Sequence, residues 1–296
     1  MHVGIAGLGR MGGNIALRLR ETGHDVTVWN RTADKLKPAL EAGCKAVDSP
    51  KAVAEATDVV ITILTNKDSI AEVYEGANGI LSGAIGDKLF IEMSTVQPET
   101  EIALAAKVRA KGAAFLECPV GGTTGPARQG KLLGVAGGSK ADFDRAKPLL
   151  DQLCRRADLV GDVGAGSAMK LALNLPLLVY YQALGEACTI VDRFGVDKKW
   201  MMEFLSETSG GPNVLKNRGP AIAGVFEGKD PGGVTIDIDG MVKDLRTMTA
   251  EAAVSGATLP VTEAAIKVYE DAKKEGWGPR DVVYAPSYWA KHRKGK

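Results

Sequence analysis

Through residue 163 the chain alternates short, β-branched apolar runs with amphipathic stretches. "HVGIAG", "DVTVWN", "DVVITIL" and "KLFIEMS" each predict a strand that ends on polar or glycine residues. Between them "MGGNIALRLRETG", "TADKLKPALEAG" and "TEIALAAKVRAKG" carry helical spacing, and each closes on a glycine suited to a helix C-cap. Strand and helix in strict alternation mean βαβ units, hence an α/β domain with a doubly wound parallel sheet and helices on both faces. Three further runs, "AAFLECPV", "LLGVAGG" and "RADLVG", extend that sheet around a glycine-rich loop.

From residue 164 strand signals vanish and helical periodicity takes over, to about residue 275. The first helix of this part should run for roughly thirty residues and is apolar nearly all round, which predicts burial on all sides. A small domain does not enclose so long a helix alone, so a second subunit is expected against it, in a homodimer or homotetramer. The expected division is 1–163 and 164–296, with this helix as the junction. Pro176 is a candidate kink within it. The polar segment 206–220 either covers a pocket or only connects helices.

The first strand runs directly into "GLGRMG", Gly7 to Gly12, at the start of a helix. In that context the pattern is a dinucleotide turn. Gly7 permits the tight bend, Gly9 lets the backbone approach a pyrophosphate, and Gly12 allows close helix–strand packing. Leu8, Arg10 and Met11 complete the turn, and the helix start offers N–H groups to the phosphates. At the end of the second strand an NAD site places an acidic residue. This chain has Asn30, Arg31 and Thr32, with no carboxylate to repel a 2′-phosphate and a guanidinium to pair with it. NADP is therefore the expected cofactor, with NAD possible.

The apolar run after residue 164 contains Lys170, and Asn174 follows one helical turn later on the same face. A desolvated lysine has its pKa pulled down, which suits it to take a proton near neutral pH. Hydride removal from an alcohol needs such a base beside the hydroxyl. Asn174 is placed to hold that hydroxyl or to orient Lys170. The competing reading is a structural lysine whose stem lies along the helix while its head reaches water.

Bulk properties narrow the field. The 296 residues carry a net charge of +1, so no overall field points to nucleic acid or an anionic membrane. The basic run "KHRKGK" reads as a solvated tail. Four cysteines and three histidines are scattered without metal-ligand spacing, so no metal is expected and reduced thiols in the cytoplasm are. No secretory leader precedes "HVGIAG", and the apolar run at 171–181 is too short to span a bilayer.

In order along nearly the full length, these motifs resemble the β-hydroxyacid dehydrogenases, the family that includes 3-hydroxyisobutyrate dehydrogenase and tartronate semialdehyde reductase. "GLGRMG" matches the family's dinucleotide signature and "NRT" its NADP-preferring form. The resemblance implies that "LTN", with Leu64 and Thr65, and "MSTV", with Thr95, line the adenosine and nicotinamide ribose. "GAGSAMKLALN" matches the signature in which the lysine (Lys170) is catalytic and the asparagine (Asn174) meets the substrate. "MVKDL" implies that Lys243 reaches the cofactor and Asp244 supports the site. The implied fold is an N-terminal Rossmann domain followed by an all-α domain, as in 6-phosphogluconate dehydrogenase.

Where the family usually reads D-x-P-V-S-G-G, this chain reads "ECPVGGTTGPARQG". The serine that commonly meets the substrate carboxylate is Gly121 here, Gly122 is kept, and Thr123 follows. Backbone N–H groups at 121–123, with the hydroxyls of Thr123 and Thr124, form a candidate anion nest. The loop is closer to the "PVGRTS" of sulfolactaldehyde reductases, but the arginine is missing. "DPGGVTID" lacks the phenylalanine common near the nicotinamide, with Gly233 and Val234 in that region. The resemblance thus implies an NADP-linked oxidoreductase for a short β-hydroxy acid. The alternatives are a β-hydroxy-α-amino acid dehydrogenase, a semialdehyde reductase, or a non-catalytic dinucleotide-binding scaffold. The family's chromatin-associated member lacks the catalytic lysine and the imine reductases usually replace it, so Lys170 argues against both.

Overall fold

The computed structural model describes residues 1–292, with side chains as far as Trp289. Of the basic tail at 291–296, residues 293–296 and the side chains of Lys291 and His292 fall outside the described structure. Packing divides the chain into two units, Met1–Leu171 and Ala172–Lys296. The division falls inside the long helix, a few residues beyond the expected boundary.

The first unit follows the predicted alternation. Its elements are β1 (His2–Ala6), α1 (Arg10–Glu21), β2 (Asp25–Trp29), α2 (Lys37–Glu41), β3 (Lys45–Ala46), α3 (Pro50–Ala56), β4 (Val59–Thr62), α4 (Lys67–Glu75), β5 (Leu89–Glu92) and α5 (Pro98–Arg109). There follow β6 (Ala114–Glu117), β7 (Val120–Gly121), α6 (Thr124–Gln129), β8 (Leu132–Gly137), α7 (Lys140–Leu153) and β9 (Cys154–Gly161). The strands lie in the order β3-β2-β1-β4-β5-β6-β8-β7, with β9 beside β8. From β3 to β6 all pairings are parallel, in the arrangement of a doubly wound dinucleotide fold. Past β6 the strand directions become mixed. There β8 runs antiparallel to both β6 and β7, the chain reversing between β7 and β8 through the segment that carries α6, and β9 then pairs parallel to β8.

Successive residues of a strand point to opposite faces, and the core divides accordingly. Val3, Ile5, Val59, Ile61, Leu89, Ile91 and Leu116 join one apolar cluster, with Ile15 and Leu19 of α1. Val60, Phe90 and Phe115 join the other, with Val73 and Tyr74 of α4 and Leu104 of α5. Strands covered on both faces must be apolar throughout, which is why "VVIT" and "LFIE" do not alternate.

The second unit contains most of α8 (Ala165–Asp192), then α9 (Lys198–Ser206), α10 (Asn213–Phe226), α11 (Ile238–Val254), α12 (Pro260–Lys274) and α13 (Ala285–His292). Among the described residues its one β-feature is an isolated antiparallel bridge between Asp237 and Asp281. The α8 helix runs for 28 residues and continues through Pro176. Leu171, Leu178, Tyr181, Leu184 and Cys188 form its buried stripe, and the Tyr269 hydroxyl donates to the Leu178 carbonyl at 2.9 Å. Burial on all sides is not met within one chain. Met169 and Leu173 are about half exposed, and Ile190 is 73% exposed. The 206–220 segment runs from the end of α9 into α10 and so joins helices. All four cysteines are free and buried. Among the described residues no group of three or more His, Cys, Asp or Glu side chains could hold a metal. No described helix is long and apolar enough to cross a membrane.

Candidate active site

The turn from β1 into α1 is shaped by backbone contacts at three glycines. Gly7 has φ 107°, a conformation that side chains with a Cβ rarely adopt, and its N–H donates to the Trp29 carbonyl at 3.0 Å. A Cβ on Gly12 would collide with the Gly7 carbonyl oxygen, so α1 can leave the sheet this tightly only with glycine there. Gly9 differs. A Cβ placed on it would meet nothing within 4 Å, so the protein's own packing does not require glycine at this position. Gly9 also begins α1 without a side-chain cap. Open space and an uncapped helix start together fit a pyrophosphate on the first-turn N–H groups. The residues present therefore suit a dinucleotide.

The Leu8 side chain is buried in the core, while its N–H donates to Asn30 Oδ1 at 2.9 Å. Asn30 Nδ2 donates in turn to the Thr32 carbonyl at 2.9 Å. Asn30 thus ties the glycine turn to the chain leaving β2. Arg31 extends over the same pocket and donates to Glu72 of α4 at 2.8 Å, with both side chains largely in water. The sequence placed no carboxylate at the end of β2. The fold brings one across from another element, which no spacing along the chain discloses.

The turns after β4 and β5 are locked together below this pocket. Leu64 donates its N–H to Ser94 Oγ at 2.7 Å. The Ser94 hydroxyl donates to Glu92, and the Ser94 N–H reaches Glu92 Oε2 at 2.7 Å. Leu64, Thr65 and Thr95 are held in place by this core, with Thr65 exposed and Thr95 half-buried. Asn66 has a local role, accepting the Ser69 N–H as the cap of α4. Glu92 is fully buried, and burial raises its pKa to about 7. Glu101 lies beside it with neither carboxyl oxygen hydrogen-bonded, and burial followed by the charge of Glu92 raises its pKa well above normal.

This pair makes stability depend on pH. Both folded pKa values lie above the unfolded value, so the folded chain keeps protons that the unfolded chain releases. The contribution is complete below about pH 4.5 and is lost as pH rises through about 7, a change on the order of 3 kcal/mol for Glu92. Urea denaturation from pH 5 to pH 8 should give a flatter profile for Glu101→Gln than for the parent, with the variant the more stable at pH 8. Parallel profiles would remove the pair from this role.

Lys170 sits in the second turn of α8 and is only 7% exposed. The start of α8 is fixed by Glu117, the last residue of β6. Its Oε1 accepts the N–H groups of Gly164 at 2.6 Å and Gly166 at 2.9 Å. Its Oε2 accepts the Ser167 N–H at 3.2 Å and the Ser167 hydroxyl at 2.5 Å. Gly164 adopts φ 104°, and a Cβ on Gly166 would stand 2.6 Å from the Val135 carbonyl oxygen, so both glycines serve the close approach of α8 to the sheet. The same strand leads through Cys118 and Pro119 into Gly121, Gly122, Thr123 and Thr124. Gly122 has φ 124°, and Thr123 begins α6 without a side-chain cap. Lys170, Glu117 and the 121–124 loop belong to the first unit. Asn174 lies in the second and is half-buried. So do Lys243 and Asp244 of α11, whose side chains pair at 2.5 Å with Asp244 the more buried.

Glu72, Glu92 and Glu117 were not found by sequence reasoning. A single sequence marks a glutamate as polar, and nothing in its spacing distinguishes a buried acceptor from a solvated one.

Comparison with known proteins agrees with this geometry. Residues 2–161 match the family model described as the NAD binding domain of 6-phosphogluconate dehydrogenase. Residues 164–287 match the one described as NAD-binding of NADP-dependent 3-hydroxyisobutyrate dehydrogenase. An uncharacterized oxidoreductase of Bacillus subtilis is 33% identical over 95% of this chain and 97% of its own length. The chloroplastic glyoxylate/succinic semialdehyde reductase 2 of Arabidopsis thaliana is 30% identical over 95% of this chain and 77% of its own. The crystal structure of a 3-hydroxyisobutyrate dehydrogenase from Salmonella typhimurium superposes with a TM-score of 0.87, at 25% identity, over 97% of this chain and 99% of that one. With a glycine turn fitted to a dinucleotide and both halves matched in order, the chain belongs to the β-hydroxyacid dehydrogenase superfamily of nicotinamide-dependent oxidoreductases.

Proposed function

We propose that the protein is an NADP-preferring dehydrogenase that interconverts a short β-hydroxy acid and its carbonyl form, as a cytoplasmic homo-oligomer. The observation that carries this reading is the enclosure of Lys170 on a helix anchored to the strand that feeds the 121–124 loop. A bound nicotinamide supplies the hydride acceptor in oxidation and the hydride donor in reduction. Gly7 to Gly12 hold its pyrophosphate, and Leu64, Thr65, Thr95 and Lys243 border the rest. Burial disfavours a charged ammonium, so Lys170 is suited to receive the hydroxyl proton as the carbinol carbon gives up hydride. In reduction it returns that proton to the carbonyl oxygen. Asn174 orients the hydroxyl, and Asp244 on α11 supports the site. The N–H groups at 121–123 and the hydroxyls of Thr123 and Thr124 receive the carboxylate. The Arabidopsis relative, a glyoxylate/succinic semialdehyde reductase, supports an aldehyde of this kind as the reducible partner.

At the adenosine end, Arg31 is the partner offered to a 2′-phosphate and Glu72 competes for it. Both side chains are exposed, so their mutual attraction is weak and the phosphate displaces it readily. The test is steady-state oxidation of C3 to C6 β-hydroxy acids, hydroxy amino acids and sulfonates with NADP and with NAD. At least one β-hydroxy acid should be turned over with NADP preferred. Arg31→Ala should raise the KM for NADP about tenfold and that for NAD little, an effect of ~1.4 kcal/mol. Glu72→Gln should shift preference the other way, further toward NADP. Failure of every acid to reduce either nucleotide would overturn the reading, and an unchanged NADP/NAD ratio in Arg31→Ala would remove Arg31 from its role.

A further inference from the structure

Glu117 is fully buried, yet every one of its four hydrogen bonds comes from Gly164 and the first turn of α8 that follows it. Three of the donors are backbone N–H groups, which cannot turn to accept, so the arrangement calls for the carboxylate rather than a neutral amide. A carboxylate at a helix start also faces the positive end of the helix dipole. Bonds of this charge-assisted kind are roughly twice as strong as neutral ones. The surrounding chain is cut to fit. Gly137 of β8 pairs with Glu117, and a Cβ there would strike Glu117 Oε1, while one on Gly166 would stand 3.1 Å from the same oxygen. Lys170 follows Ser167 by three positions, so the bonded turn and the amine lie on neighbouring turns of one helix face. In the other direction only Cys118, Pro119 and Val120 separate Glu117 from Gly121.

We propose that Glu117 is the positioning residue for Lys170: it clamps the first turn of the lysine-bearing helix to the strand that leads into the 121–124 loop. Amine and loop then share one rigid support inside the first unit. The inference rests on the reading of Lys170 as the proton acceptor, and it goes further by assigning a function to the residue that stands where the family usually has aspartate. Glutamate reaches one methylene farther than aspartate, and the Gly137 and Gly166 gaps accommodate that reach.

The experiment uses the full chain with Glu117→Gln, Glu117→Asp and Ser167→Ala. In Glu117→Gln one N–H must face an amide NH₂, so kcat should fall at least about tenfold while the KM for NADP stays near that of the parent; misplacement by about 1 Å is enough for 10²-fold. Glu117→Asp keeps the charge but is one methylene shorter, so its kcat should lie between that of the parent and that of Glu117→Gln. Ser167→Ala removes one donor, leaves the clamp's three N–H bonds, and should fall between the parent and Glu117→Gln. Hydrogen exchange of the cofactor-free protein supplies a readout apart from turnover: amides at 164–168 should exchange faster in Glu117→Gln, with the rest of the sheet unchanged. Faster exchange with parental kcat would overturn positioning while leaving the clamp. Unchanged exchange in both Glu117→Gln and Ser167→Ala would overturn the clamp itself. If Glu117→Gln does not fold, Ser167→Ala and Glu117→Asp decide by the same two readouts. A Lys170→Ala variant with parental turnover would instead sink the proton-acceptor reading, an outcome separable from all of these.

Discussion

Lys170→Ala should lower kcat for the best β-hydroxy acid by about 10²- to 10⁴-fold, the usual contribution of a positioned acid–base group. NADP affinity, measured by fluorescence titration, should not change, because the dinucleotide turn lies in β1 and α1 rather than in α8. The fold should also tolerate the change. Removing a buried amine relieves desolvation, and its stem is replaced by a small void whose cost is that of a few lost methylenes. Parental turnover in a folded variant would leave Lys170 a structural lysine and return the scaffold alternative to the front. Loss of turnover together with loss of NADP binding would point to a collapsed site and no specific proton transfer.

The second large effect is a contrast between two glycines of one turn. Gly12→Ala should destabilise the first unit by several kcal/mol, on the order of the larger overpacking penalties, since its Cβ runs into backbone rather than a yielding side chain. Gly9→Ala should leave the melting temperature near the parental value, because its Cβ points into open space. The same methyl stands where the pyrophosphate is to lie, so the dissociation constant for NADP should rise about tenfold or more, ~1.4 kcal/mol at the least. Thermal melts and nucleotide titrations on both variants separate the two kinds of glycine. If Gly9→Ala bound NADP as well as the parent, the assignment of that space to phosphate would fail.

Much of the architecture was legible because burial on two faces imposes uninterrupted apolar strands, and "DVVITIL" or "KLFIEMS" can hardly be anything else. The helices at 50–56 and 67–75 were less evident. The first is only two turns long, and the second starts at the Asn66 cap beside residues read for ligand contacts. The reversal of β8 escaped because a strand paired on both sides and buried reads as the same apolar run whichever way it points. At the site, glycines announce themselves, since few other residues tolerate φ near 107° or so close a backbone approach. Lys170 stood out against its apolar neighbours. Glu92 and Glu117 did not, because a polar residue at the end of a strand looks the same whether its acceptor faces water or the start of a helix many residues later.

Asn30 engages the glycine turn on one side and the Thr32 carbonyl on the other, whereas Arg31 and Glu72 pair with each other with both side chains largely in water. Under the proposed reading, in which Arg31 meets the 2′-phosphate, recognition of the adenosine end is uncoupled from the integrity of the nucleotide fold. A lineage carrying this chain would then change its redox currency by one surface exchange, without unmaking the architecture that delivers it.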